Sequence, residues 1–417
     1  MPLLAVVVLS AGEPPAALPK ASGNAGKAGS YQVQCGQAGY SYWVNVPASP
    51  AGTHFGLHVF FHGQNGQGGA QHFGQWEDRL LKTYDLIGIN MCYADGDNMK
   101  DTGGKVAAAR AAVLQVMADY PVVPGRGMVA CFSGGGLPCG QWYAEAARNR
   151  GPAWPFTALA LYSANYRSGV QPLPETGWFV GVNQQEWTLA QLGATQTARF
   201  GEALAAIAKS GPDQRFLCLP GVGHSIDNRA VDAAAELFHR VDLAYAPFIH
   251  VPEGMPRQLL PIIAQANDGN LGAAATALAK LKPGAVPAEA VEDLQKRIDA
   301  RAAAQVALIT SLAANDLHLA AFYGNRFAKG LKSHAREAEL TAAMAPVLKE
   351  RKAAQAAAGA LDAFAKLFPQ VFVKDATIAA QAVPALEQMV KAAGERSNLG
   401  RMAADLLALP HAPAPGK

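Results

Sequence analysis

One serine lies between a strand-like apolar run and a helical pattern, in the stretch GMVACFSGGGLPCGQWYAEAA, Gly127 to Ala147. Small residues two positions before and two positions after Ser133, namely Cys131 and Gly135, allow a strand and a helix to pass closely at a sharp turn. The helix directs its N-terminal amides and the positive end of its dipole toward the hydroxyl. The pattern therefore predicts a nucleophilic serine, with the Gly134 N–H as one donor to an oxyanion.

Two further loops carry groups that complete this chemistry. The sequence HVFFHGQNGQGG follows an apolar run and places His62 and Gly63 before Gln64, whose N–H is the second candidate oxyanion donor. His62 itself is expected to shape this loop. The sequence FLCLPGVGHSIDNRA carries His224 between glycines and a helix start, where the imidazole is free to reach the serine as general base. The histidines that precede the serine follow no strand that suits this geometry: His54, His58 and His72.

The acid that would orient His224 is expected in the sequence WFVGVNQQEWTLA. Its only carboxylate is Glu186, because Asn183, Gln184 and Gln185 occupy the positions where an aspartate is more usual. A glutamate can hold the imidazole in one tautomer and stabilise the imidazolium. Glu186 could equally mark the start of a helix, where a carboxylate is favoured, and both interpretations stay open.

Other carboxylates near the predicted catalytic edge have simpler explanations. Asp227 is expected at the surface or as a helix cap, since it immediately precedes a helical pattern. Asp95 and Asp97 could shape the pocket, but an Asp/Gly turn explains them equally well. Tryptophans near the predicted strand ends could line an acyl or aryl pocket, although core packing explains each one: Trp154, Trp178 and Trp187.

Alternating apolar runs and helical patterns occupy residues 31–250. Such alternation favours a parallel sheet with helices on both faces, because parallel neighbours need a crossover. The first two runs are separated only by GQAG, so they are expected to be antiparallel. The candidate strands are Tyr31–Cys35, Tyr40–Val46, Leu57–Phe61, Leu86–Cys92, Gly127–Phe132, Thr157–Tyr162, Trp178–Val182 and Arg215–Leu219. The candidate helices are Phe73–Tyr84, Lys105–Asp119, Gln141–Arg148, Leu189–Ala208 and Arg229–Leu243.

The two ends of the chain differ from this central region. Residues 258–408 are rich in Ala, Leu, Lys and Glu with helical periodicity, which predicts helical hairpins of a loosely tetratricopeptide-like kind and a packing or partner-binding role. Residues 409–417 form a Pro-rich tail. Residues 1–30 combine a short apolar run with a flexible linker, as in an export signal, although no Lys or Arg precedes the run. Export to the periplasm or the exterior is expected, with a cytoplasmic location as the alternative.

Composition excludes several partner classes. The 417 residues carry a formal net charge of only +3 and no basic stripe, so neither a nucleic-acid partner nor a membrane span is expected. The five cysteines show no metal-ligand spacing, and their odd number leaves at least one unpaired within the chain. The glycines after Ser133 lack the lysine of a P-loop and the spacing GxGxxG. No cofactor or metal is predicted.

The segments HG, CFSGG and PGVGHS, in this order along residues 31–250, resemble the α/β-hydrolase family. They are similar to secreted esterases of the polyhydroxybutyrate-depolymerase and feruloyl-esterase kind. The resemblance covers about half of the chain, and its motifs are specific to fold and mechanism rather than to substrate. It implies an α/β-hydrolase fold with a mostly parallel eight-stranded sheet, to which the helical periodicity of residues 258–408 adds an all-α C-terminal domain.

The predicted activity is that of a serine hydrolase, most simply a carboxylesterase acting on a small or polymeric ester. Ser133, His224 and Glu186 are the candidate triad, and the amides of Gln64 and Gly134 are the candidate oxyanion hole. One alternative is a peptidase of the prolyl-oligopeptidase type, although no β-propeller pattern accompanies it. The other is a non-catalytic scaffold in which the hydrolase core has lost its acid and the C-terminal helices bind a protein partner.

Overall fold

The computed structural model describes most of the central and C-terminal sequence. The described residues are 18–35, 39–63, 73–93, 100–148, 156–164, 173, 175–183, 213–352, 360–361, 363–364, 366–367, 370–371 and 376–408. The predicted helix Leu189–Ala208, the Pro-rich tail and most of the signal-like segment lie outside these ranges. The predictions made for them, including export, therefore stay predictions.

An eight-stranded sheet forms the centre of the molecule, in the spatial order β1-β2-β4-β3-β5-β6-β7-β8. The first strand pairs antiparallel with β2, and β2 pairs antiparallel with β4, whereas every later pair is parallel. This arrangement confirms the predicted antiparallel start and parallel continuation. The strands are β1 (Gly29–Gln34), β2 (Tyr40–Val46), β3 (Phe55–Phe61), β4 (Leu86–Tyr93), β5 (Val122–Phe132), β6 (Ala158–Tyr162), β7 (Gly177–Asn183) and β8 (Gln214–Leu219).

Helices cover both faces of the sheet. One face packs against α2 and α3, and the opposite face packs against α1 and α4. Strands β3 to β8 are therefore nearly continuous apolar runs, as expected when both faces of a parallel sheet are buried. The helix predicted at Phe73–Tyr84 is a single α-turn that continues as a π-helix, a distinction that apolar periodicity does not resolve. The helices are α1 (Phe73–Trp76, with the π-helix Glu77–Leu81), α2 (Thr102–Asp119), α3 (Gly136–Arg148) and α4 (Asn228–Tyr245).

The C-terminal sequence is helical, as predicted, but its helices belong to two different cores. Helices α5 to α9 bury their apolar residues around a core of their own. Helices α10 and α11 instead join the apolar core on the α2 and α3 face of the sheet. The helices are α5 (Leu260–Asn267), α6 (Leu271–Ala279), α7 (Ala288–Asn315), α8 (Leu317–Gly330), α9 (Glu337–Lys349), α10 (Ala376–Ala393) and α11 (Asn398–Leu407).

Taken together, the strand order and the two helical layers define an α/β-hydrolase fold with an additional helical region. Among the described residues, no helix is both long enough and apolar enough to cross a membrane. The domain limits drawn at residues 31, 250, 258 and 408, and the tetratricopeptide-like character of the helices, stay predictions.

Candidate active site

The turn from β5 to α3 places Ser133 in a strained backbone conformation. Its φ angle is +51°, in the left-handed region that L-residues other than glycine seldom adopt. A single 3₁₀ turn, Ser133–Gly135, connects the strand to the helix. A Cβ added at Gly135 would lie 2.6 Å from the His62 carbonyl oxygen and closer still to that of Phe61. Only glycine therefore lets the elbow approach the end of β3.

The segment after β3 lies directly against this elbow. A Cβ added at Gly63 would lie 3.1 Å from the Cβ of Ser133 and 2.9 Å from the Phe132 ring. His62 is buried, and its Nδ1 donates to the Gly63 carbonyl oxygen over 2.7 Å. Its ring also packs 4.3 Å from that of Tyr93. These contacts agree with the shaping role predicted for His62, whereas Gln64 lies outside the described residues.

His224 lies in the loop between β8 and α4, on the same sheet edge as the elbow. Its ring centroid is 4.5 Å from that of Phe132, the neighbour of Ser133 in the chain. Partial burial lowers the pKa of His224 below its ordinary value, although the side chain as a whole keeps contact with solvent. The imidazole is therefore predominantly neutral at pH 7, the form that a general base requires.

The end of β7 supports the His224 loop in a way that the sequence did not indicate. The Asn183 Nδ2 group lies 2.6 Å from the carbonyl oxygen of Gly223 and 2.6 Å from that of Ser225. These two residues flank His224. A position interpreted from sequence as lacking the usual aspartate thus carries a side chain that contacts the loop of the candidate base.

Two of the other residues singled out from the sequence, Asp227 and Trp178, lie among the described residues. Asp227 accepts a hydrogen bond from the Arg229 backbone N–H and is the N-cap of α4, which confirms the predicted capping role. Trp178 is fully buried and packs edge-on at 4.9 Å against Tyr143, so it is a core residue. The candidates outside the described residues are Gln64, His72, Asp95, Asp97, Trp154, Glu186 and Trp187.

A buried lysine at the same edge is a second feature that the sequence analysis missed. Lys105, in the first turns of α2, is fully buried. Its Nζ donates to the Lys100 carbonyl oxygen over 2.7 Å and lies 4.9 Å above the Tyr93 ring. It thereby ties the start of α2 to the end of β4. Its sequence position, as the first residue of the predicted helix, gave no signal of burial.

The potential for metal binding is limited within the part of the chain described above. There, no group of three or more His, Cys, Asp and Glu side chains is arranged to hold a metal ion. Ser133, Gly134 and His224 lie at one sheet edge because β5 and β8 are parallel strands whose carboxyl ends lie on the same side. Among the described residues, the groups at this edge include a hydroxyl, an imidazole and main-chain amides.

Comparisons with known proteins give likenesses of fold. No family model and no curated protein matches the chain. A lidless α/β serine hydrolase from Xanthomonas campestris is 16% identical, with 54% of this chain and 97% of that chain covered and a TM-score of 0.37. The carboxylesterase EstE1, cloned from a metagenomic library, is 16% identical over 50% of this chain and 87% of its own, with a TM-score of 0.37.

A third solved structure is similar to about half of the chain. The dienelactone hydrolase-like promiscuous phosphotriesterase P91, from metagenomic libraries, is 15% identical, with 51% of this chain and 98% of that chain covered and a TM-score of 0.39. These matches cover about half of the chain. At such identities the likeness concerns the fold, and the activity has to be argued from the residues.

Proposed function

We propose that the chain is a serine hydrolase that cleaves a carboxylic ester through an acyl-enzyme intermediate. The observation that carries this proposal is the left-handed Ser133 at the β5–α3 turn, with the His224 ring packed against the adjacent Phe132. Backbone strain at a serine on such a turn is a feature of nucleophile positions. Ser163 and Ser333 share the left-handed conformation, so what distinguishes Ser133 is its place at the strand-to-helix turn together with an imidazole packed against the adjacent residue.

The reaction divides into acylation and deacylation. In acylation the Ser133 Oγ attacks the ester carbonyl carbon while His224 accepts the hydroxyl proton, and the imidazolium then returns that proton to the leaving alcohol. In deacylation His224 takes a proton from the water that attacks the acyl carbon, and the imidazolium then gives that proton to the Ser133 Oγ as the acid is released. Glu186 is assigned the orientation of His224 and stabilisation of the imidazolium.

The oxyanion of each tetrahedral intermediate is assigned to the amides of Gly134 and Gln64. Two observations support these assignments. Gly134 is the middle residue of the turn that leads into α3, and Gly63, the residue before Gln64 in the sequence, lies beside Ser133. Loss of one such donor costs about 3 kcal/mol in comparable sites. The substrate class proposed is a small or polymeric ester, in line with the resemblance to secreted polyester and feruloyl esterases.

Labelling with a fluorophosphonate tests the mechanism directly. The wild-type protein should react at Ser133, and the reaction should be lost in Ser133→Ala and strongly slowed in His224→Ala. A folded wild-type protein that does not react would contradict the proposal and favour a non-catalytic scaffold. Full activity in Glu186→Gln would overturn the assignment of the acid alone.

A substrate panel tests the bond type. Aryl esters of increasing acyl length should be hydrolysed, and aminoacyl amides should not. Hydrolysis of the amides at a comparable kcat/KM would instead favour a peptidase of the prolyl-oligopeptidase type. Ser133→Ala is the control for both substrate sets, because any rate that survives in it comes from another site or a contaminant.

A further inference from the structure

The side chain of Asn183 connects the last residue of β7 to the loop that carries His224. Asn183 pairs in register with Leu219, the last residue of β8, and is only 3% exposed. Its amide group has two hydrogens, and the two carbonyl oxygens at 2.6 Å belong to Gly223 and Ser225. We propose that Asn183 is a positioning residue, which holds the main chain on both sides of His224 so that the imidazole faces the elbow of Ser133.

This inference rests on the proposed function, because it assigns a role relative to the general base. Because the main chain is held before and after His224, the position of its imidazole depends mainly on the side-chain torsions of that residue. The ring contact with Phe132 restricts those torsions. Asn183 and Phe132 together would therefore define where the imidazole lies before any substrate binds.

The composition of the loop explains why such a restraint is needed. Gly221 has a φ of +72° with open space where a Cβ would be, and Gly223 immediately precedes His224. Glycines give the backbone more freedom to lose than any other residue. The side chains of His224 and Ser225 are exposed, so packing restrains them weakly. A buried amide that donates two hydrogen bonds restrains the loop without covering the imidazole.

The amide of Asn183 is suited to holding the loop, and it cannot serve as the acid of a catalytic triad. An aspartate at this position would place a carboxylate, which only accepts hydrogen bonds when ionised, against two carbonyl oxygens. The same two acceptors fix the orientation of the amide, because the reverse orientation would place its oxygen against them. Asn183 is therefore suited to hold the loop, and the acid of a triad has to come from another residue.

Two nearly isosteric variants, Asn183→Leu and Asn183→Asp, remove both donors. Each should lower kcat for an aryl ester and the rate of fluorophosphonate labelling at Ser133 by about 100-fold, since a misplacement near 1 Å has such an effect. KM should change less than about threefold, because this side chain is buried and bonds to the main chain of the loop. A purely structural role would lower the folded fraction and leave kcat per folded molecule unchanged.

The matched control is Asn267→Leu. The Asn267 side chain also bonds a neighbouring segment, with its Oδ1 2.9 Å from the amides of Phe248 and Ile249 and its Nδ2 2.9 Å from the Ile249 carbonyl oxygen. It lies in α5, outside the catalytic edge. Asn267→Leu should lower the thermal midpoint and leave the labelling rate per folded molecule at the wild-type value.

The outcomes separate this inference from the proposed function. Wild-type labelling that depends on His224, together with wild-type kcat in folded Asn183→Leu or Asn183→Asp, would overturn the inference and leave the proposed function intact. Absence of wild-type labelling would overturn the proposed function itself. If both variants fail to fold, hydrogen exchange of the asparagine side chains tests the inference in the wild-type protein, after selective ¹⁵N labelling of asparagine. The Asn183 side-chain hydrogens should then exchange slowly with solvent, and fast exchange of both would overturn the inference.

Discussion

At the scale of single residues, the proposed role of His224 requires the neutral imidazole. Partial burial lowers the pKa of this group below its ordinary value of 6.5, and Phe132 is one of the side chains that cover it. Lowering the pH protonates the imidazole and removes the base, so kcat/KM should rise with pH through a midpoint below 6.5. Phe132→Leu should move this midpoint upward, because it exposes more of the ring to water.

The pH profile of ester hydrolysis, measured on the wild-type protein and Phe132→Leu, checks this expectation. A midpoint above 6.5 in the wild-type protein would mean that the carboxylate assigned to orient His224, that of Glu186, outweighs the effect of burial. An identical midpoint in both proteins would show that Phe132 does not contribute to the lowered pKa of His224. Thermal unfolding of each protein at every pH separates loss of the base from loss of the fold.

The burial of His58 leads to a prediction about how the stability of the fold depends on pH. It is fully buried on β3 with its ring 5.0 Å from that of Trp76, and neither ring nitrogen has a hydrogen-bond partner among the described residues. Burial lowers its pKa to about 3. Between pH 6.5 and 3 the unfolded chain therefore binds a proton that the folded chain excludes. This difference lowers the free energy of unfolding by up to about 1.4 kcal/mol per pH unit as the pH falls.

Urea unfolding of His58→Leu at pH 7, 6 and 5 tests this linkage. The variant should gain stability relative to the wild-type protein as the pH decreases, because it carries no proton acceptor at this position. His54, whose pKa burial lowers to about 4, remains in both proteins and contributes the same slope to each. Parallel pH dependences in the two proteins would show that His58 is not buried in its neutral form.

At the scale of elements, two glycines near the elbow have opposite requirements: Gly135 ends the 3₁₀ turn and Gly140 lies in α3. A Cβ at Gly135 would meet main-chain oxygens of Phe61 and His62 that cannot rotate away, whereas a Cβ at Gly140 has no neighbour within 4 Å among the described residues. Gly135→Ala should therefore destabilise the fold by about 1–3 kcal/mol and reduce labelling of Ser133. Gly140→Ala should stabilise it by up to about 1 kcal/mol with labelling unchanged, since alanine is the better helix former.

Urea unfolding and labelling rates of the two variants provide the measurement. Gly140→Ala is the matched control, because it makes the same chemical change five residues further along, in the helix that follows the turn. Equal effects of the two substitutions on stability would contradict the close approach of the elbow to β3.

Local sequence patterns predicted the elements well because each is defined by its own residues. All eight strands were found from apolar runs bounded by Gly and polar residues, and the elbow from small residues around Ser133. The contact of Asn183 with residues 223 and 225 joins segments 40 and 42 positions apart, so no local pattern reports it. The packing of α10 and α11 against the sheet was likewise missed, because an apolar helix stripe does not specify its partner.

At the scale of the whole molecule, a buried ionic cluster joins the helical region to the hydrolase fold. Asp242 at the end of α4 binds Arg126 of β5 over 3.0 Å and Arg301 of α7 over 3.1 Å. Burial alone would raise the pKa of the Asp242 carboxyl, but the two guanidinium groups lower it below its ordinary value. Arg301 also donates to the Ala246 carbonyl oxygen over 2.9 Å, which satisfies the end of α4.

Because this cluster connects the sheet to α7, we expect the sheet and helices α5 to α9 to unfold together. Arg301→Leu leaves the Asp242 carboxylate with one partner in a buried site, so the free energy of unfolding should fall by roughly 3–5 kcal/mol. Arg336→Leu is the control, because the Arg336–Glu339 pair is exposed and should contribute no more than about 0.5 kcal/mol.

Thermal scans that follow helix content and the capacity of Ser133 for labelling provide the test. In Arg301→Leu both signals should be lost at the same lowered temperature, since the removed contact connects the two regions. Loss of helix content well below the temperature at which labelling is lost would show two independent units. In that case the ionic cluster would hold the helices in place without supporting the catalytic edge.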